Sequence, residues 1–120
     1  MSEYSNVGIC LTNAGRHALE SRIHALEAVD EKIRHIRNLL NAADTKLDDQ
    51  ESGAVAWLWD SVKWYMDYDD VSFIEKLLQE LDETEYLFIR IGEFNDDTDI
   101  RGTFWDNPFS MNLIRGIVHD

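Results

Sequence analysis

Twelve of the thirteen aromatic residues, including all four tryptophans, lie in residues 44–120, and that stretch also carries the whole net charge of −13. Residues 1–43 balance five basic against five acidic side chains, whereas residues 44–120 set six basic against nineteen acidic ones. A chain this acidic stays unfolded when it has no apolar mass to bury. Here the apolar mass is interleaved with the charge, so only a sorted body fits, with aromatics inside and carboxylates outside. With 120 residues, 44% of them hydrophobic, the chain is expected to form one domain over 1–120 with a real core. One proline and six glycines argue against a linker-rich chain.

That surface restricts the partners. A dense negative field repels nucleic acid and anionic membranes and attracts basic protein surfaces. No run approaches the ~20 apolar residues of a membrane span, and Met1–Asn6 lacks the basic and apolar regions of a signal peptide. The single cysteine, Cys10, excludes an internal disulfide and fits a reducing compartment, so the expected location is cytoplasmic. Cys10 lies in the apolar run Val7–Leu11 and is expected to be a buried packing residue.

Val7–Leu11 reads as a buried strand that ends at a helix cap, Thr12-Asn13. The segment Leu11–Glu20 resembles the stretch that opens the linker helix of LysR-type transcription regulators. The likeness covers ten residues, and the net charge is wrong for binding phosphates. It is read as a strand-to-helix junction and carries no function over. Beyond it, Leu19, Ile23, Leu26, Val29, Ile33, Ile36 and Leu40 recur every three or four residues. That period predicts one long amphipathic helix over 13–43. Such a helix spans roughly 45 Å, more than a small domain covers, so it either kinks near Asp30 or projects towards a partner. The stripe Leu19, Ile23, Leu26, Ile33, Ile36 and Leu40 is then either a face laid on a sheet or a dimer seam.

Residues 44–53 are polar and read as a loop opening the acidic, aromatic-rich part, 44–120. Residues 54–68 fit a helix through Val55, Leu58, Trp59, Val62 and Met66, or a strand through the alternation of Val55, Trp57 and Trp59. On the strand reading, which the β-branched and aromatic content favours, a bend falls near Asp60-Ser61 and Trp64 takes the opposite face from Trp57 and Trp59. Residues 71–81 read as a helix capped by Asp69 or Asp70, with Tyr86–Ile91 as a strand. Residues 99–105 read as its hairpin return, and 109–118 as a closing element. The order β-α-β-α-β-β predicts an α+β fold, with one long and one short helix on one face of a mainly antiparallel sheet.

Candidate chemistry is sparse. His17, Glu20, His24, Glu27, Glu31 and His35 share one helical face, where one helix supplies only two ligands per turn, so a solvated face is expected. Asp97, Asp99 and Gly102 echo a calcium loop, but Arg101 and Pro108 occupy two ligand positions. The chain has no glycine-rich phosphate loop and no nucleophile arrangement that can be argued. The expectation is therefore no enzyme, no cofactor and no metal. A metal-dependent enzyme using His17, Glu20 and His24 stands only as an outside alternative.

The expected partner-binding residues are Asp67, Asp69, Asp70, Glu93, Asp96, Asp97 and Asp99, with Trp57 and Trp59 as aromatic anchors; the alternative is that two or three of the four tryptophans form the core with Phe73, Phe88 and Phe104. In size, charge and mixed α+β pattern, the chain is similar to small acidic inhibitors encoded by phages or prophages. These include anti-restriction and anti-CRISPR proteins that mimic DNA. It is similar, too, to immunity proteins that neutralise nuclease toxins. The resemblance implies a non-enzymatic protein that occludes a basic surface of a nuclease, restriction, CRISPR or other nucleic-acid-binding protein. From another class, the rival is a structural or adaptor protein that dimerises through its long helix, its acidic surface serving only solubility.

Overall fold

A computed structural model describes residues 3–26, 31–94 and 97–113. Five strands form one antiparallel sheet in the order β2-β3-β1-β4-β5: β1 (Ser5–Leu11), β2 (Thr45–Asp48), β3 (Val55–Val62), β4 (Tyr86–Ile91) and β5 (Thr98–Gly102). Three helices, α1 (Asn13–His24), α2 (Glu31–Asn41) and α3 (Asp69–Glu80), cover one face. The α+β architecture follows from the sequence as expected, with three helices where two were foreseen.

Strand β1 is central, and its continuous apolar run fits a strand covered on both faces. Val7, Ile9 and Leu11 meet Val55, Trp57 and Trp59 of β3 and Tyr86 and Phe88 of β4 beneath the helices. Cys10 joins Ala56, Leu87, Ile89 and Met111 on the other face, which residues 104–113 cover with Phe104, Phe109 and Leu113. Burial pushes the Cys10 thiol up to about 12. An alkylating reagent at pH 8 should therefore leave Cys10 unmodified in the native protein and label it only in denaturant, read by intact mass.

The strand-to-helix junction is built as its residues suggest. Thr12 Oγ1 accepts from Gly15 N at 3.2 Å, and Thr12 N donates to Glu85 O at 3.0 Å. A side chain at Gly15 would put its Cβ 2.9 Å from Glu85 O, so the helix docks this closely only with glycine there.

The single long helix over 13–43 is corrected to two. Helix α1 ends at His24, where Ala25 N and Leu26 N close the last turn on Ser21 O and Ile23 O, and α2 begins at Glu31. The proposed dimer seam is spent inside the molecule. Leu19, Ile23 and Ile36 are buried, and Leu26, Ile33 and Leu40 are half-buried against the same core. Leu39, outside the expected stripe, is buried beside them, and its carbonyl accepts from Trp59 Nε1 at 2.9 Å.

Four other expectations change. Residues 45–48, read as loop, form edge strand β2, whose four residues are all exposed. Tyr68, not Asp69 or Asp70, is the N-cap of α3, and it makes no side-chain cap bond; the two aspartates stand in the first turn, where the helix dipole favours them. Trp64 shares the core of Trp57 and Trp59, with its ring 5.5 Å from Trp59 and 6.1 Å from Phe88. The reason is the bend at Asp60-Ser61. Ser61 has φ +60°, and the β1–β3 register slips between Ser5 and Val7, so the alternation of faces restarts beyond it. That backbone costs a non-glycine residue about 1–2 kcal/mol. Of the expected closing element 109–118, residues 109–113 carry no helix or strand, and 114–118 lie outside the described residues. Buried Asn107 folds this stretch back: its Nδ2 donates to Phe104 O and Met111 O, and its Oδ1 accepts from Phe109 N and Met111 N.

Candidate partner-binding surface

Sheet register places several loops together. Ser5 pairs with Val62, Asn6 with Ile91, and Ile91 with Thr98, so the start of β1, the end of β3 and the β4–β5 turn share one end of the sheet. Hydrogen bonds tie them. Glu3 N donates to Tyr65 Oη at 2.6 Å, Tyr65 Oη donates to Glu3 O at 3.0 Å, and Tyr4 N donates to Glu93 Oε1 at 2.9 Å. The Tyr65 ring lies 5.5 Å from Tyr68, and Lys63 Nζ sits 5.6 Å from the centre of the Tyr4 ring.

Among the described residues, seven large hydrophobic side chains are exposed, and four of them, Tyr4, Met66, Tyr68 and Phe94, belong to this end. Leu47 and Ile100 lie singly on the two edge strands, and Trp105 lies on the segment after β5. Isolated exposed apolar residues are ordinary, whereas contiguous ones are the usual material of contact surfaces. Glu3, Asp67, Asp69 and Glu93 are exposed around that group, and Asp70 is half-buried beside them. Acid alone does not single out this end, because Asp49, Glu51, Asp82 and Glu83 crowd the opposite one. What distinguishes it is the number of large apolar side chains exposed among the carboxylates, four against Trp105 near Glu83 at the other end, among the described residues.

The expected site residues divide accordingly. Asp67, Asp69, Asp70 and Glu93 come together at this end. His35 of α2 shares a surface depression of about 370 Å³ with Asp67, Tyr68, Asp69 and Asp70. Asp96 lies outside the described residues. Trp57 and Trp59 are corrected from anchors to core, at 6% and 2% exposure. The large apolar side chains exposed at this end are instead Tyr4, Met66, Tyr68 and Phe94, of which only Met66 belongs to a periodic run of the sequence.

Asp97 and Asp99 are engaged within the chain. Arg90 donates to Asp97 through both terminal nitrogens, at 2.7 and 3.2 Å, and through Nη1 also to Ser5 Oγ. Arg101 reaches Glu75 at 2.5 Å and Asp99 at 3.4 Å, and its guanidinium carbon lies 4.4 Å from the centre of the Phe88 ring. Glu75 is buried and also accepts from Trp64 Nε1 at 2.9 Å. The result is a row of alternating charge, Glu75–Arg101–Asp99–Arg90–Asp97, along the helix side of β4 and β5. Gly92 makes room for it, because a Cβ there would stand 1.8 Å from Asp97 Oδ2. The signal for this row was Arg90 and Arg101 at inward parity, which only the β4–β5 register brings to Asp99 and Phe88.

The Arg90 hydrogen bonds hold the Asp97 carboxyl below its ordinary range, and the same bonds raise the Arg90 guanidinium. A lowered folded-state value stabilises the protein above the unfolded carboxylate range, and that contribution is lost as pH falls through the folded value. Asp97→Asn should therefore lower stability at pH 7 and match the parent once the carboxyl is protonated, well below pH 4. Thermal melts across that interval check this.

Among the described residues, no three His, Cys, Asp or Glu side chains converge as a metal site requires, and no helix is long and apolar enough to cross a membrane. Comparison with family models, with curated proteins and with solved structures finds no match.

Proposed function

We propose that this protein acts by binding, as a non-enzymatic cytoplasmic antagonist that covers a basic surface of a nucleic-acid-processing or defence protein. Its character is that of phage-encoded inhibitors, with carboxylates standing where the partner expects phosphates. The observation that carries the reading is the end of the sheet where Tyr4, Met66, Tyr68 and Phe94 stand exposed among Glu3, Asp67, Asp69, Asp70 and Glu93. Opposite charge speeds the encounter and selects the partner, while buried rings lengthen the residence time. A second reading, a toxin immunity protein, is favoured by the gathering of Tyr4, Met66, Tyr68 and Phe94 at one end, because one compact patch suits one active site. The dimerising adaptor loses support, since the helical stripe it needs is packed into the core.

Displacement from DNA tests the proposal. Heparin-retained proteins of a bacterial lysate are loaded on immobilised duplex DNA at low salt, and the chain is added. The expected result is that a small, discrete set of proteins leaves the DNA bound to the chain. Retention of every protein on the DNA contradicts the reading.

A further inference from the structure

We propose that the cleft beside the Ser61 bulge is the seat of a single arginine side chain of the partner; this rests on the binding function proposed above and names its anchor. The cleft, of about 480 Å³, is lined by Tyr4, Asn6, Ser61, Ile91, Gly92 and Glu93. It lies at the same end of the sheet as the exposed rings, between the end of β3 and the end of β4. The backbone that opens it is built and held. Ser61 adopts φ +60°, and its N–H donates to Asn6 Oδ1 at 3.0 Å across the slipped β1–β3 register. Non-glycine residues persist in that conformation where the surrounding structure enforces it, and such sites concentrate at ligand contacts.

The chemistry of the walls selects the occupant. Glu93 spends one oxygen on Tyr4 N–H, which fixes the side chain and leaves Oε2 as an acceptor. Ser61 adds a hydroxyl, Ile91 an aliphatic wall and Tyr4 an aromatic ring. Lys63 Nζ lies 5.6 Å from the centre of that ring, so an arriving guanidinium displaces it to stack there, and the pairing with Glu93 outweighs the exchange. One carboxylate, spread acceptors and a ring suit a flat cation with several donors. A guanidinium stacks and forks its hydrogen bonds, whereas an ammonium is a compact, strongly hydrated point charge. The single carboxylate in the lining and the aliphatic wall argue against a metal ion.

Two-dimensional NMR of the labelled chain, titrated with a penta-arginine and a penta-lysine peptide at 0.05 M salt, tests this. The expected result is that penta-arginine shifts the Tyr4, Ser61 and Glu93 amides most and binds at least threefold tighter than penta-lysine. Glu93→Gln keeps the oxygen that holds Tyr4 N–H and should weaken the arginine peptide about tenfold. Tyr4→Leu should erase the preference for arginine, and Glu83→Gln at the opposite end should change affinity less than twofold. The spectra themselves report whether each variant is folded. Equal affinity for the two peptides, shifts centred elsewhere, or no effect of Glu93→Gln overturns the arginine seat while leaving the wider binding function standing. Failure of both peptides to bind overturns both.

Discussion

Glu75→Ala should destabilise the fold by about 3 kcal/mol, read from urea denaturation at neutral pH. Glu75 is 5% exposed, and its carboxylate takes the Trp64 indole N–H and the Arg101 guanidinium together. Removing it orphans a donor in the core. It also leaves Arg101 with Asp99 at 3.4 Å and with an Nε that already has no hydrogen-bond partner. Breaking one side of a buried ion pair costs about 3–5 kcal/mol. The 28% exposure of the Arg101 side chain lets water recover part of that loss, which places the estimate at the lower bound. Glu75→Gln keeps an acceptor for Trp64 and should cost less, about 1–2 kcal/mol. In a double-mutant cycle with Arg101→Ala, the two losses should fall short of additivity by about 1 kcal/mol or more. A loss under 1 kcal/mol for Glu75→Ala means that the tie between α3 and β5 contributes little.

The second large effect is on binding. Reversing Asp67 and Asp69 together to lysine should lower affinity for a basic partner at least tenfold at low salt, about 1.4 kcal/mol. Both side chains are exposed, and Asp67 lies outside any helix or strand. The cost to the fold is confined to Asp69 in the first turn of α3, about 0.3–1 kcal/mol from the helix dipole. Binding suffers more, because each reversal removes an attraction and adds a repulsion where the partner is most basic. The same double reversal placed at Asp82 and Glu83 should have a small effect, since among the described residues Trp105 alone of the exposed rings stands near the acid there. Equal losses at the two ends would mean that the field of the whole surface, rather than this end, does the binding.

How legible these features were depends on the scale of the signal. Strand β4 and both its faces were legible because Tyr86–Ile91 alternates between apolar side chains that meet two different cores. The bend at Asp60-Ser61 was legible as an interruption in the same kind of alternation. Strand β2 was not, because an edge strand exposed at every residue carries no burial pattern. The division into α1 and α2 was legible only through length, as a kink near Asp30, since apolar spacing continues through the stretch and no glycine or proline punctuates it. The choice between anchor and core stayed open for Trp57 and Trp59 for a related reason. A ring at strand parity reads the same whether its face meets helices or solvent, and only the docking of the helices decides. Asp97 and Asp99 looked free because their partners, Arg90 and Arg101, reach them only through tertiary register. The acidic end could be anticipated by composition, whereas its exposed apolar side chains, Tyr4, Met66, Tyr68 and Phe94, are scattered in sequence and share one end only in the folded chain.

The measurement that bears most directly on the central claim is affinity capture from a bacterial lysate at 0.05 M and then 0.5 M salt, with partners identified by mass. It is run in parallel with the parent chain and the Asp67→Lys/Asp69→Lys variant. Exposed charges more than ~10 Å apart are already screened at 0.1 M salt, so charge-led binding should be lost at the higher concentration. The account predicts that the parent holds a nuclease, restriction, CRISPR or other nucleic-acid-binding protein at low salt and releases it at high salt, and that the variant holds little at either. Capture of the same protein by parent and variant alike, or a partner that stays bound at high salt, would contradict it.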